Sequence, residues 1–422
     1  MLQVAYLREK TDEAIERLAK RNIDATHTIS EIIKLDDDRR HTQVELDNLL
    51  AETNTLSKEI GELFKSGRKD EADTLKVRTV EIKEHTRSLE ETLTKIEKDL
   101  WNVLVTLPNT PSPRVAKGKT PEDNEVVFEH GNLPVFTGEA LPHWELAKKY
   151  DLIDFELGVK ITGAGFPVYK GKGARLQRAL INFFLDQALA QGYIEIQPPI
   201  MVNEDSAFGT GQLPDKEGQM YHSTVDNFYM IPTAEVPITN IYRDVIVKEA
   251  DFPIKNVGYT PCFRREAGSY GKDVRGLNRL HQFDKVEIVQ LSHPDSSYNA
   301  LEDMQTYVQG LLQQLGLPYR VLRLCGGDMG FTSAMTYDME VYSGAQEKWL
   351  EVSSVSNFES YQSNRLKLRF KDTTGKTRLA HTLNGSALAL PRIVAALLEN
   401  NQTPHGINMP DVLVPYLGFN SI

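Results

Sequence analysis

The 422-residue chain is poor in several features that would place it in common protein classes. It has only two cysteines, Cys262 and Cys325, and they lie far apart, which argues against a disulfide framework and against a cysteine-rich zinc site. No run of about 20 apolar residues occurs, so we expect neither a transmembrane helix nor a membrane partner. The N-terminal stretch carries charges throughout, unlike a signal peptide, and we expect a cytoplasmic protein.

Glycine-rich phosphate loops are also missing. Neither GxGxxG nor GxxxxGK followed by serine or threonine occurs, so a bound nucleotide needs a different kind of site. The formal net charge of -11 argues against indiscriminate binding to nucleic acid, because phosphate contacts need local cations. A single basic site remains compatible with this charge.

Residues 28–103 contain no proline, and apolar residues recur there at spacings of three and four, as in the heptads of a coiled coil. A polar break, KSGRKDEA, contains Gly67 and separates two runs of similar length. Two helices joined by a short turn form an antiparallel hairpin, which we predict over 28–103. The pattern alone fits a dimerisation or spacer coiled coil as well as an arm that reaches a large partner.

The composition changes after the helical residues 1–105. Residues 106–130 are rich in proline, lysine and threonine, and they are predicted to be an exposed linker. Residues 131–422 contain strand-like runs that follow one another without a helix between each pair, among them NFYMIPTAEVPIT, VGYTPCFRR and HQFDKVEIVQL. This order favours an antiparallel α+β domain over a Rossmann-type alternation.

The stretch CFRREAGSYGKDVRGLNRLHQFDKVEIV, residues 262–289, gathers six cations in an acidic chain. If its two ends are neighbouring antiparallel strands, Arg264 and Glu266 share a face, and Phe283, Lys285 and Glu287 share a face of the partner strand. Arginine offers bidentate donors to phosphate, and phenylalanine can stack on a base. The stretch predicts a site for a ligand with phosphate, ammonium and aromatic parts. A surface hairpin with salt bridges is the alternative.

Two segments near the C-terminus add further chemistry. In KWLEVSSVS, Glu351 and Ser354 supply hard oxygen ligands of the kind that Mg²⁺ takes when it also binds phosphates, although an ordinary polar strand end has the same residues. The segment TLNGSALALPRIVAALLENNQ predicts a strand, a turn and a helix. Arg392 lies near the helix start, where the dipole and free N–H groups favour anions, unless it is only a solvent-facing arginine.

Together these segments resemble the seryl-tRNA synthetases of the bacterial type, which are class II aminoacyl-tRNA synthetases, over essentially the whole chain. FRREAG followed by GLNRLHQFDKVEI resembles motif 2 in its seryl form, TLNGSALALPR resembles motif 3, and GYIEIQPPIMV resembles motif 1. PTAEV, GTGQLP and GGDMGF with TYDMEVY match further seryl-type segments. The resemblance implies an α+β fold. In it, an N-terminal antiparallel two-helix coiled-coil arm (residues 1–105) binds tRNA, and a class II antiparallel β-sheet catalytic domain flanked by helices (residues 131–422) follows the linker.

The resemblance also implies roles for individual residues. The catalytic residues are Arg264, at the α-phosphate and the serine carboxylate, and Arg279 and Arg392, at the γ-phosphate end. The implied serine site comprises Thr233, Ala234, Glu235, Arg264, Glu287, Asn384 and Ser386. The implied ATP site comprises Arg264, Arg265, Glu266, Leu280, Phe283, Glu351, Val352, Ser353, Ser354 and Arg392. Glu351 and Ser354 match the metal-binding pair.

The implied reaction is an ATP-dependent ligation. L-serine is activated with ATP to seryl-adenylate, pyrophosphate leaves, and serine is then transferred to the 3′ end of tRNA(Ser), with tRNA(Sec) as a second candidate acceptor. Mg²⁺ is expected with ATP, zinc is not expected, and motif 1 implies a homodimer. The candidate phosphate contacts of the arm are its cations near the tip and on the second helix: Lys58, Lys65, Arg68, Lys69, Lys76 and Arg78.

The chain departs from the family pattern at Arg265, Met335, Ala387 and Pro391, without losing a residue to which the resemblance assigns a chemical role. Lys272 and Arg275, in the motif 2 loop, are candidate contacts for the acceptor end of tRNA. Two other functions compete with the synthetase reaction. One is a related enzyme that loads a carrier protein instead of tRNA, and the other is a coiled-coil interaction protein with an inactive enzyme-like domain.

Overall fold

The computed structural model describes residues 1–215, 217–266 and 274–422. The chain divides into two compact units. The helical unit comprises Leu2–Ala19 and Ile23–Pro108, and the sheet unit comprises Met1, Lys20–Asn22 and Asn109–Ile422. Among the described residues, no helix combines the length and the apolar character that crossing a bilayer requires.

Two long helices make up most of the helical unit. Its helices are α1 (Val4–Glu9), α2 (Thr11–Ala19), α3 (Thr26–Lys65) and α4 (Lys69–Leu104). Ile32 and Leu46 of α3 and Ile82 and Leu100 of α4 are buried, as the heptad spacing requires when two helices pack along their length. At about 1.5 Å per residue, each long helix extends more than about 50 Å. The predicted antiparallel hairpin is confirmed, with the turn at residues 66–68.

The sheet unit contains the remaining helices and all the strands of the described chain. Its helices are α5 (His143–Lys149), α6 (Phe155–Ile161), α7 (Gly171–Ala190), α8 (Glu204–Thr210), α9 (Glu235–Asn240), α10 (Ser297–Gln314), α11 (Tyr361–Leu366), α12 (Leu390–Asn400) and α13 (Val414–Leu417). The strands are β1 (Glu125–His130), β2 (Ile153–Asp154), β3 (Val168–Tyr169), β4 (Ile194–Glu195), β5 (Met201–Val202), β6 (His222–Ser223), β7 (Phe228–Met230), β8 (Ile246–Lys248), β9 (Ile254–Phe263), β10 (Gln282–Ser292), β11 (Tyr319–Arg323), β12 (Met335–Ser343), β13 (Lys348–Asn357), β14 (Arg369–Lys371), β15 (Thr377–Leu379), β16 (His381–Ala389), β17 (Gln402–Thr403) and β18 (Gly406–Ile407).

An eight-stranded sheet organises this unit, in the order β1-β11-β12-β13-β16-β10-β9-β4. Neighbouring strands are antiparallel except β4 and β9, which are parallel. Helices α7, α10 and α12 contribute side chains such as Phe184, Leu311 and Leu397 to a single large core with the buried residues of the strands. The predicted α+β class with an antiparallel sheet is confirmed.

The segment 106–130 differs from the expected exposed linker in two ways: several residues at its start are buried, and its last six residues, although exposed, form a strand. Leu107, Asn109 and Ser112 are buried, and the Asn109 amide donates to the carbonyls of Thr332 and Phe358 at 2.9 and 2.8 Å. The last six residues form β1, which pairs with β11 at one edge of the sheet. Polar composition predicted exposure here, but these polar groups are satisfied inside the sheet unit instead.

The segment NFYMIPTAEVPIT is only partly a strand. Strand β7 ends at Met230, and Glu235–Asn240 form helix α9, in which Glu235, Val236, Pro237, Ile238 and Thr239 are all buried. A short apolar run that is buried on every side has the same sequence pattern in a strand and in a helix. This ambiguity explains why a strand was wrongly predicted for residues 235–239.

Candidate active site

A cavity of about 620 Å³ lies in the sheet unit, where β10, β13 and β16 meet the ends of β9, α9 and α12. It brings together most of the residues that the sequence placed in the serine, ATP and metal sites. Those that line it are Thr233, Glu235, Arg264, Glu266, Arg279, Leu280, Phe283, Glu287, Glu351, Val352, Ser353, Ser354, Asn384, Ser386 and Arg392.

Two of the predicted residues do not line the cavity. Ala234 is fully buried and packs with Ile238 and Val289 beneath it. Arg265 has an exposed side chain, and its backbone N–H donates to the carbonyl of Gln219 at 2.9 Å. The two arginines of FRREAG therefore have different surroundings, because only Arg264 reaches the cavity.

Strand β10 supplies one wall of the cavity through alternate residues. Phe283, Lys285 and Glu287 all line it, as the two-residue period of a strand requires. The guanidinium of Arg264 lies 5.2 Å from the centre of the Phe283 ring. The predicted common face of these three β10 residues is confirmed.

The other strand of the predicted hairpin ends earlier than expected. Strand β9 stops at Phe263, so Arg264 and Glu266 follow it as irregular backbone, and Glu266 has a left-handed φ of 49°. Both still line the cavity: Arg264 donates from Nε to the carbonyl of Pro232 at 3.3 Å, and Glu266 accepts from Arg279 at 2.8 Å. The predicted strand face is wrong, whereas their convergence on one ligand space is right.

The most buried part of the cavity is a charged network around Lys285. Its Nζ lies 2.5 Å from a carboxylate oxygen of Glu287 and donates to the Thr233 hydroxyl at 2.9 Å. The Ser386 hydroxyl donates to Glu287 at 3.3 Å. Buried charges persist only when they are paired and hydrogen-bonded, and these groups satisfy each other while facing the cavity.

Glu235 adds a second buried carboxylate beside this network. It begins α9, and its Oε1 accepts from the Gln362 side-chain amide at 2.6 Å. Burial, together with the nearby charge of Glu287, raises the pKa of Glu235 to about 7, against the opposing hydrogen bond from Gln362. A carboxylate in such surroundings can bind a cationic group with little competition from water.

Arg392 lies in the first turn of α12 and also lines the cavity. Its Nη1 donates to the carbonyl of Glu351 at 2.7 Å and lies 3.8 Å from the Glu351 carboxylate. Its Nε donates to the carbonyl of Asn278 at 3.2 Å. With Arg264 and Arg279, it gives the cavity three guanidinium groups, which suits an anionic ligand.

The expected metal pair lies on β13, where Glu351 and Ser354 both line the cavity. Asp338 of β12 stands opposite Ser354, and burial together with the charge of Glu351 raises the pKa of Asp338 well above its ordinary value. Its Oδ1 is buried without a hydrogen-bond partner in the described chain. Carboxylate and hydroxyl oxygens are the donors that Mg²⁺ prefers, so these residues fit that ion. No group of three or more His, Cys, Asp or Glu side chains suited to a metal occurs among the described residues.

Sequence reasoning missed several residues that line the same cavity: Gln212, Glu217, Gln219, Leu277, Asn278, Lys285, Gly330, Ser356, Ala389 and Pro391. Lys285 was predicted to share a strand face with Phe283 and Glu287 but was assigned no role in the site. Gln212 lies in GTGQLP, a segment that matched the seryl-type pattern, whereas Gln219 carries no local signal. Of the two loop cations predicted to meet tRNA, Lys272 lies outside the described residues, and Arg275 packs 4.7 Å from the Trp144 ring centre.

Comparison with known proteins gives matches over the whole chain. Residues 1–111 match the family model of the seryl-tRNA synthetase N-terminal domain, and residues 220–401 match that of the tRNA synthetase class II core domain (G, H, P, S and T). The serine-tRNA ligase of Salinibacter ruber is 49% identical over 100% of this chain and 99% of its own length. That of Geobacter sulfurreducens is 46% identical over 99% of each.

Solved structures agree with the sequence relatives. A crystal structure of seryl-tRNA synthetase from Pyrococcus horikoshii complexed with ATP superposes with a TM-score of 0.93 at 33% identity, covering 100% of this chain and 99% of that one. The cytoplasmic serine-tRNA ligase from Naegleria fowleri in complex with AMP gives 0.88 at 27% identity, covering 100% and 98%. The chain therefore belongs to the seryl-tRNA synthetase family.

Proposed function

We propose that this chain is a serine-tRNA ligase that activates L-serine with ATP and then transfers it to tRNA(Ser). One observation carries the proposal: a single cavity is lined by three guanidinium groups, those of Arg264, Arg279 and Arg392, and also by the buried Lys285, Glu287 and Glu235 network. The first group suits phosphates, and the second suits a small amino acid with an ammonium and a hydroxyl. The full-length match to serine-tRNA ligases supports the same assignment.

The first step needs no general base from the protein. The carboxylate of serine is ionised near pH 7, because an α-carboxyl has a pKa of roughly 3.5. One of its oxygens attacks the α-phosphorus of ATP, the bond to the β-phosphate oxygen breaks, and pyrophosphate leaves with the electron pair. Arg264 orients the α-phosphate and the serine carboxylate, while Arg279 and Arg392 offset charge at the far phosphates.

Serine is selected by the buried polar end of the cavity. Glu235 and the hydroxyl of Thr233 bind the ammonium of serine, while Glu287 and Ser386 surround its hydroxyl, with Asn384 beside them. Alanine has no hydroxyl to offer to Glu287 and Ser386, so it would forgo the hydrogen bonds that serine makes there. A site built around a substrate hydroxyl can reject the analogue lacking it by about 10⁴ to 10⁵. Threonine is rejected by the space that its extra methyl group would need.

Adenine stacks on Phe283 in this proposal, and Glu266 accepts from its amino group. Phe283 is half-buried and presents its ring beside Arg264, which supports stacking of a base there. Leu280 adds a backbone contact. The four residues Glu351, Val352, Ser353 and Ser354 complete the ATP site on β13.

Glu351 and Ser354 would hold Mg²⁺, with Asp338 as a neighbouring acceptor. When bound with ATP, the ion would withdraw charge from the phosphate oxygens and favour loss of pyrophosphate. Mg²⁺ commonly binds through one or two carboxylates plus substrate phosphates. Two protein ligands in a phosphate-binding cavity match this coordination.

The second step uses the helical unit to hold tRNA. The 3′-terminal hydroxyl of tRNA attacks the carbonyl of seryl-adenylate and displaces AMP. The exposed cations of α3, α4 and the turn between them are the proposed phosphate contacts, and Arg68, Lys76 and Arg78 among them form surface ion pairs with acids of the same unit. Such exposed pairs contribute little to stability, so a phosphate can replace the acid at small cost. We assign the arm to residues 1–105 and catalysis to 131–422.

The proposed enzyme acts as a homodimer in the cytoplasm. Strand β4 is at the edge of the large sheet, and Ile194 on it is 62% exposed. Ile200 and Met201 of the following segment are also exposed, which supports a second copy of the chain covering this edge. Cys262 and Cys325 are both free thiols, as expected in a reducing compartment.

The test of the proposed function is serine-dependent ATP–pyrophosphate exchange, followed by charging of tRNA(Ser) transcripts. We expect exchange with L-serine and none with alanine or threonine at equal concentration, and charging of tRNA(Ser) but not of a non-cognate tRNA. Exchange that depends on another amino acid would contradict the proposal. A tRNA(Sec) transcript in the same assay decides whether that acceptor is also charged.

A further inference from the structure

A polar cluster with a fully buried centre lies next to the cavity without lining it. Its centre is the pair His143 and Glu399, whose side chains are both 0% exposed. His143 begins α5, and Glu399 lies near the end of α12, so 256 residues separate them. The synthetase reaction as described above uses neither residue. Buried polar side chains are costly unless they are hydrogen-bonded, so the partners of this pair show what it holds in place.

The carboxylate of Glu399 is completely satisfied by four donors. Its Oε1 accepts from the backbone N–H and the Nδ1 of His143 at 2.9 and 2.7 Å, and from the Gln346 side chain at 2.8 Å. Its other oxygen accepts from the hydroxyl of Ser343. Although burial opposes ionisation, the hydrogen bonds from His143 and Ser343 lower the pKa of Glu399. The glutamate is therefore a fixed anchor for the imidazole.

The second nitrogen of His143 points at the segment of residues 277–279, which follows the motif 2 loop. Its Nε2 lies 2.8 Å from the backbone N–H of Leu277, which must donate to it. This bond requires a neutral imidazole with its proton on Nδ1, the tautomer that donates to Glu399. The contact is tight, since a Cβ at Gly276 would lie 2.2 Å from Nε2, and Gly276 has a φ of 65°.

The same cluster holds the segment at a second point. Gln346 donates to Glu399 with its amide nitrogen and accepts with its oxygen from the side chain of Asn278 at 2.9 Å. Two successive residues, Leu277 and Asn278, are thus tied to one buried anchor. Both also line the cavity.

The 277–279 segment also contacts or contains the arginines that we propose bind the γ-phosphate end of ATP. The carbonyl of Asn278 accepts from Nε of Arg392, and the next residue, Arg279, donates to Glu266. A shift of the backbone at Leu277 would therefore move both proposed γ-phosphate contacts. Arginines must be held close to their final geometry for charge stabilisation to be effective.

We propose that His143, anchored by Glu399, is a positioning residue that fixes the 277–279 segment in the geometry that binds ATP. The proposal rests on the function proposed above, because it assigns ATP to this cavity. It predicts that ATP affinity depends on the acceptor at Nε2 of His143, whereas binding of serine at the Lys285 network does not.

Two variants separate the roles of the two imidazole nitrogens. His143→Gln keeps a side-chain acceptor near the position of Nε2, and His143→Asn keeps a donor near the position of Nδ1. If His143 positions the segment, His143→Asn raises the ATP Kd and the ATP KM about fivefold, as expected for one lost hydrogen bond, while His143→Gln changes them less than about twofold. If His143 only satisfies Glu399, this order is reversed.

The measurements are isothermal titration with ATP alone and pyrophosphate exchange with separate KM values for ATP and serine. A larger ATP defect in His143→Asn than in His143→Gln, with the serine KM unchanged, supports the proposal. Equal ATP binding in both variants, or the larger defect in His143→Gln, overturns it. A wild-type protein without serine-dependent exchange would contradict the proposed function, while the ATP titrations would still judge the role of His143.

Gln346→Met provides an independent test if neither histidine variant folds. It removes the acceptor for Asn278 and one donor to Glu399 but leaves the imidazole in place. We expect a rise in the ATP Kd of about fivefold. An unchanged ATP Kd in the folded Gln346→Met protein would overturn the proposal.

Discussion

Glu235 is a carboxylic acid held almost entirely out of water beside another carboxylate, and its pKa is raised to about 7. The charged groups that face it are Glu287, which raises the pKa, and Lys285, which lowers it. Near neutral pH the free cavity therefore exchanges between a protonated and an ionised Glu235. The ammonium of serine would bind the ionised form, so substrate and proton compete for one carboxylate.

The raised pKa of Glu235 predicts that the free energy of unfolding depends on pH. Because its native pKa exceeds the ordinary value of 4.5, the native state holds a proton that the unfolded chain has lost between pH 4.5 and 7. The free energy of unfolding should fall over that range relative to Glu235→Gln, by an amount on the order of 3 kcal/mol at about 1.4 kcal/mol per pKa unit. Unfolding midpoints of both proteins from pH 4.5 to 8 measure the difference. A difference independent of pH would show that Glu235 is ionised throughout.

Arg264 and Arg265 form a matched pair at the residue scale. Arg264 lines the cavity beside Phe283, whereas the side chain of Arg265 is exposed outside it. Arg264→Ala should lower kcat/KM in pyrophosphate exchange by about 10² to 10³, the cost of one preorganised charge contact, with little change in unfolding temperature. Arg265→Ala should change the same constant by less than about threefold. Comparable losses in both variants would mean that the ATP site extends beyond the cavity.

Local sequence patterns predict the position of a cavity residue when a single strand or helix determines that position. The two-residue period along β10 predicts that Phe283 and Glu287 share a face, and the motif before α12 places Arg392 in its first turn. The same reasoning fails for Glu235, because α9 is buried on every side and its sequence has no amphipathic period. It also fails for His143 and Glu399, whose contact depends on two helices distant in sequence packing together.

At the scale of elements, the helical hairpin is the part of the chain that sequence predicts best. Heptad spacing and the break at Gly67 are local properties, and α3 and α4 follow them closely. The segment 106–130 shows the opposite case. Its proline and lysine content indicates exposure, yet Asn109 is buried because acceptors from remote residues, such as Phe358, complete its hydrogen bonds.

The hairpin should be needed for tRNA and dispensable for activation of serine. Replacing residues 28–103 by a short glycine-serine linker should abolish charging of tRNA(Ser), because the proposed phosphate contacts of α3 and α4 are lost. Pyrophosphate exchange should stay within about threefold of wild type, since every residue of the cavity lining lies in the sheet unit. Exchange in the same preparation is the internal control. Unchanged charging of tRNA would refute the assigned role of the arm.

At the scale of the molecule, the edge strand β4 predicts assembly. We expect the wild-type protein to elute as a particle of twice the 47.6 kDa chain mass in size-exclusion chromatography with light scattering. The double variant Ile194→Glu and Met201→Glu places charges on the exposed apolar edge and should yield monomers, because like charges would meet across a two-fold interface. Val135→Glu, at a residue 93% exposed elsewhere on the sheet unit, is the matched control and should remain dimeric. A monomeric wild type would exclude this interface.

The fold of the whole molecule can be predicted from the sequence chiefly through its motifs. Consecutive strand-like runs indicate an antiparallel α+β domain, but they do not give the strand order, in which β16 inserts between β13 and β10. That order depends on pairings between segments distant in the chain, for which a single sequence has no local signal. The central placement of β16 matters for the cavity, because it brings Asn384 and Ser386 beside Glu287.

The insertion of β16 between β10 and β13 also determines the order in which strands can pair while the chain is synthesised on the ribosome. Strand β10 can pair with β9 soon after both emerge, but its other edge stays open until residues 381–389 follow almost a hundred residues later. During that interval the nascent chain exposes an unpaired strand edge and cannot yet bind ATP, because Arg392 and the β16 wall are missing. Nucleotide binding can therefore report the completion of folding during translation, and chains truncated before β16 should not be retained on immobilised ATP.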